Sequence, residues 1–134
     1  MTRKFKPEEV VFTLTAEQDD LPIRGNAIDS GDEDFDEKVA REIEENLDRG
    51  NEWAWACVKV TASWAGFTGT DYLGGCSYKD EDAFRAPGGY LESMLGQAVD
   101  DLLREIEGAG WDVTYAEGAV SEAVAREMGK KNAA

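Results

Sequence analysis

Between residues 9 and 16 apolar and polar positions alternate. Val10, Phe12, Leu14 and Ala16 face one way, and Val11, Thr13 and Thr15 the other. A period of two is that of a half-buried strand. Residues 17–31 are polar, with Asp19-Asp20, Pro22 and Gly25-Asn26, and read as a long loop. The period then changes. Phe35, Val39, Ile43 and Leu47 recur every fourth residue, which predicts a helix with one narrow apolar stripe. Ser30, Asp32 and Asp34 are candidate N-caps, and Gly50 stands where a helix-ending glycine belongs.

Residues 52–64 alternate again. Ala54, Ala56, Val58, Val60, Ala62 and Trp64 form one face, and Trp53, Trp55, Cys57, Lys59, Thr61 and Ser63 the other. A turn near Gly66 leads into a second strand, about 71–78. In that register Trp53 and Trp55 share a face with Tyr72, Cys76 and Tyr78, an arrangement that a slip of one residue would undo. After a loop over 79–89, Leu91, Leu95, Ala98, Leu102 and Ile106 mark a long helix over 90–107. Trp111, Val113 and Tyr115 alternate as a short last strand, and 121–128 predicts a final helix with Val120, Val124 and Met128 inward. The order β-α-β-β-α-β predicts an α+β, ferredoxin-like fold: an antiparallel sheet with two helices on one face, plus a short C-terminal helix. The length predicts a single domain over 1–134, with 1–7 and 129–134 frayed.

Charge changes this picture most. The net charge is -15 and there is no histidine. From Asp32 to Asp48 nine acids stand against Lys38 and Arg41. Some of them have ordinary work. The pairs Asp34–Lys38, Glu37–Arg41 and Glu45–Arg49 have the favourable helical spacing, each worth about 0.3–0.5 kcal/mol. The earliest acids suit the positive end of the helix dipole. The second long helix also carries acids outward, Glu92, Asp100, Asp101, Glu105 and Glu107 against Arg104. On the expected sheet the two helices lie side by side and their acids merge into one surface. Such a surface repels nucleic acid and membrane and attracts basic partners. Direct nucleic-acid binding, which needs Lys and Arg against phosphates, is therefore not expected. No apolar run of eighteen residues occurs, and no apolar segment follows the basic residues 1–7. Neither a membrane span nor a signal peptide is expected, and the predicted location is cytoplasmic.

Candidate chemistry is sparse. Without histidine the common triads and the usual general base are absent. Cys57 and Cys76 fall on adjacent predicted strands, either as small buried residues or as an oxidisable cross-strand pair. The acids from Asp29 onward fail the calcium-loop pattern, with Asp34 at position six and Ala40 at position twelve. No glycine run is followed by the Lys-Ser/Thr of a phosphate-binding loop. No catalytic, cofactor-binding or metal-ligating residue is singled out, and no enzyme or cofactor is expected.

The residues that remain point to binding. Asp34, Glu37, Glu42, Glu44, Glu45 and Asp48 are expected to meet a basic protein surface, with Trp53 and Trp55 as aromatic anchors. Cytosolic basic surfaces mostly hold nucleic acid, so spaced carboxylates can stand in for phosphates. In strategy and size this is similar to the DNA-mimic inhibitors that phages and plasmids direct against restriction or CRISPR machinery, an analogy that no motif carries. Two other readings stay open. One is a small ligand-binding or enzymatic domain using the aromatic sheet face. The other is a structural homodimer pairing through the edge of strand 52–64.

Overall fold

The computed structural model describes residues 4–130. Its elements are β1 (Val11–Gln18), α1 (Glu33–Asp48), β2 (Ala56–Trp64), β3 (Phe67–Cys76), α2 (Glu81–Arg85), α3 (Leu91–Gly108) and α4 (Ala119–Met128), with 3-10 turns at Pro7–Glu9 and Glu52–Ala54. The strands form one three-stranded antiparallel sheet in the order β1-β2-β3.

That sheet overturns the ferredoxin-like expectation, which requires a fourth strand. Among the described residues, 111–115 make one isolated parallel bridge, Lys4 with Asp112, in which Phe5 N donates to the Asp112 carbonyl at 2.9 Å. The reason is local. The Asp112 carboxylate accepts from Thr114 N at 2.8 Å and Thr114 Oγ1 at 2.7 Å, a turn that competes with strand extension. The alternation was a packing signal instead, since the Trp111 ring sits edge-on to Trp64 and Phe67. The ground for a merged acidic face of two helices goes with the missing strand. The predicted edge pairing also fails, because β2 is the central strand with β1 and β3 on its two sides.

The β2–β3 turn is Ala65-Gly66, with φ of 50° and 85°. Two successive left-handed residues make the tight hairpin whose twist matches that of the strands, and only the glycine adopts it freely.

The chain divides into two compact units. One holds 59–72 of β2 and β3, residues 4–14, and everything described from Arg85 onward. Its core is the α3 stripe Leu91, Met94, Leu95, Ala98, Leu102 and Ile106, all buried, as are Val60, Ala62 and Trp64 of β2. Gly69 of β3 lets the α3 backbone come close. A methyl group there would collide with the Ala98 carbonyl and Leu102 N. Phe5, placed by sequence in a frayed terminus, is 1% exposed and packs edge-on against Trp64 at 5.2 Å and Tyr115 at 5.9 Å. Of the other residues expected to fray, 1–3 and 131–134 lie outside the described residues. On α4 it is Ala123, Val124 and Glu127 that are buried. Glu127 is compensated by Arg85 at 3.5 Å and Lys130 at 3.0 Å, as a buried carboxylate must be.

The other unit comprises Thr15–Val58 and Leu73–Phe84. Asp32 caps α1, its carboxylate accepting from Asp34 N and Phe35 N. Ile43 packs with Ala54 and Trp55, joined by Ile23, Ala27, Val39 and Leu47. Phe35 does not complete the expected stripe. It is 48% exposed, and Ala40 is buried instead. Residues 52–54 turn before β2 starts, because the Asn51 side chain accepts from Trp53 N and holds the 3-10 turn.

Candidate functional site

Charge is divided very unevenly between the two units. Thr15–Val58 with Leu73–Phe84 holds seventeen Asp and Glu against five Lys and Arg, a net of -12. The rest of the chain holds twelve against nine, a net of -3. Four fifths of the molecule's net charge therefore belongs to the α1 unit.

On α1 the six acids expected to form one partner surface separate into two groups. Asp34, Glu42, Glu45 and Asp48 are exposed. At about 100° per residue they fall on the side that also carries the exposed Lys38, Arg41 and Arg49, so this side is of mixed sign. Glu37 and Glu44, two turns apart, instead engage Arg24 from the preceding loop. Arg24 donates from Nε to Glu37 Oε2 at 2.9 Å and from Nη2 to Glu37 Oε1 at 2.7 Å, and its Nη1 pairs with Glu44 Oε1 at 2.5 Å. These bonds, Glu37 first, hold the Arg24 proton more tightly than usual, and Arg24 in turn lowers the Glu37 pKa. The expected Glu37–Arg41 pairing yields to this two-pronged one, and Arg49 reaches Asn46 at 3.3 Å. Arg24 is the single base in the polar stretch 17–31, the one sign by which its role was visible beforehand.

Between the Arg24 loop and α1 lies a cavity of about 170 Å³. Ile23, Ala27 and Ala40 are apolar residues of its lining, and Glu33, Asp36 and Glu37 are acidic ones, alongside Arg24. Asp36 accepts from Ser30 Oγ at 2.6 Å and Ser30 N at 3.2 Å, uncharged donors that leave its charge unmatched. No ion pair to Glu33 is formed among the described residues.

The aromatic anchors are placed otherwise than expected. Trp55 is 1% exposed, and its Nε1 donates to the Leu21 carbonyl at 2.7 Å, so it is core and not contact surface. Trp53 is half-buried, its ring 5.4 Å from Phe84, which Tyr78 meets edge-on at 5.1 Å. Trp55 is thus withdrawn from the expected aromatic face, and Trp53 and Tyr78 pack on Phe84 while remaining partly exposed. Tyr72 is exposed and stands beside Lys59, whose Nζ is 5.6 Å from its ring centre.

Sequence reasoning also passed over Asp19. Its carboxylate accepts from Leu21 N at 2.9 Å and Gly75 N at 2.7 Å, and its own N–H donates to the Trp55 carbonyl at 3.0 Å. The two accepted bonds lower its pKa. Cys57 and Cys76 are free thiols. Burial, and then neighbouring negative charge, pushes both up, Cys76 to about 11, so neither is an activated nucleophile.

Among the described residues no group of three or more Cys, Asp or Glu is placed to hold a metal ion, and no helix is long and apolar enough to cross a membrane. Compared with protein-family models, curated proteins and solved structures, the chain matches none.

Proposed function

We propose that this protein acts by binding. Its α1 unit docks against a basic surface of another protein, of the kind that ordinarily holds nucleic acid, and so excludes DNA or RNA from it. The observation that carries this reading is the charge partition, -12 in the α1 unit against -3 in the rest of the chain. A field concentrated in one unit orients the molecule as it approaches and speeds encounter with an oppositely charged partner. Partners of this kind are cytoplasmic in the setting we propose, an intracellular inhibitor in the manner of the phage and plasmid DNA mimics.

The test is affinity capture at low salt on the immobilised protein, followed by elution with double-stranded DNA. Nucleic-acid-binding proteins released by DNA at constant salt support the reading. If DNA releases nothing that salt alone would release, the acidic unit is not competing for a nucleic-acid surface and the proposal fails.

A further inference from the structure

We infer that the cavity between residues 23–28 and α1 receives the side chain of a lysine projecting from the basic partner. This rests on the binding function proposed above and specifies where such a partner is gripped.

A lysine side chain is an apolar stem ending in a cation, and it buries the first while keeping the second in a polar setting. The cavity offers both. Ile23, Ala27 and Ala40 give the stem apolar contact, and Glu33 and Asp36 stand beside them for the ammonium. Arg24 does not oppose the incoming charge, because Glu37 and Glu44 already match it. The α1 N-terminus does oppose it, with about half a positive charge. Glu33 and Asp36, with no base paired to either, carry two negative charges and outweigh that term. An anion has no open cation in the cavity to meet, and a neutral apolar group would leave those carboxylates without gain. Of the common side chains, the amphipathic cation fits both parts of the lining. A single cavity of about 170 Å³ suits one side chain rather than a folded segment.

The probe is acetyl-hexalysine amide, titrated into the full-length protein at low salt and followed by amide NMR shifts. Binding with shifts concentrated at residues 23–28 and 33–40 is expected. Ala27→Leu plugs the cavity without changing charge, and Ile28→Phe does so from a second position. In either variant that retains the wild-type fold, Kd should rise roughly tenfold, the equivalent of about two methylenes no longer buried. Glu33→Gln should weaken binding as well, whereas Glu45→Gln on the mixed face should change it by less than about twofold. Binding by the plugged variants as tight as wild type overturns the cavity while leaving the electrostatic reading intact. No binding of hexalysine to the wild-type protein overturns both.

Discussion

Asp19 shows how one carboxylate can hold a loop to a sheet. It sits just past β1 and satisfies two backbone donors, one in its own turn and one at Gly75 near the end of β3. Removing it leaves the Gly75 N–H without its acceptor, and a lost acceptor costs more than the net value of the bond. Asp19→Ala should therefore destabilise the protein by about 1–3 kcal/mol near neutral pH. Because the folded pKa is depressed below its ordinary 3.8, the contribution is complete above that value and disappears as pH falls through the lower folded one. Urea titrations of wild type and variant should differ most at about pH 7 and converge toward about pH 2. A gap that stays constant between those pH values would show that the charge on Asp19 is not what matters. Nothing in the sequence around Asp19 marked it, since its partner lies 56 residues away.

At the scale of elements, legibility followed the range of the interactions that make each one. β1, α1, α3 and the Ala65-Gly66 hairpin are built by short-range rules, and alternation, helical spacing, caps and left-handed turn residues announced them. Residues 111–115 carried the same alternation but, among the described residues, pair through one bridge at Lys4: the Asp112–Thr114 turn stops the strand, and the alternation serves the long-range packing of Trp111 on Trp64 and Phe67. For the candidate site, the concentration of acids along α1 was legible. Its division was not, because Arg24 draws Glu37 and Glu44 to itself from outside the helix. Replacing Arg24 by Gln should raise the Glu37 carboxyl titration midpoint, followed by 13C NMR, toward its ordinary value. The same change should leave stability nearly unaltered, as is usual for exposed pairs. A Glu37 midpoint unmoved by the substitution would mean that Arg24 is not its partner in solution. Gly69 tests the other unit. Its missing side chain is what admits the α3 backbone at Ala98 and Leu102. Gly69→Ala should lower stability by about 1–3 kcal/mol through overpacking against backbone that cannot rotate away. A urea midpoint equal to wild type would show that α3 does not pack that closely.

For the whole molecule, net charge alone is a weak guide, because a solvated acidic surface keeps proteins soluble without any partner. What distinguishes the two roles is location. Solubility depends on total charge and is indifferent to which unit loses it, whereas steering toward a partner depends on where the field is concentrated. Two triple variants with equal charge change separate these cases. Asp34→Asn, Glu42→Gln and Glu45→Gln remove three charges from the α1 unit, and Glu92→Gln, Glu105→Gln and Glu107→Gln remove three from α3. All six side chains belong to exposed residues, so each substitution should shift stability by less than about 0.5 kcal/mol. Association with hexalysine, measured by stopped flow at low salt, should slow severalfold in the first variant and little in the second. The difference should vanish at about 1 M salt, where the screening length falls to about 3 Å. Equal slowing in both variants would assign the acids to solubility and remove the α1 unit's claim to be a docking surface.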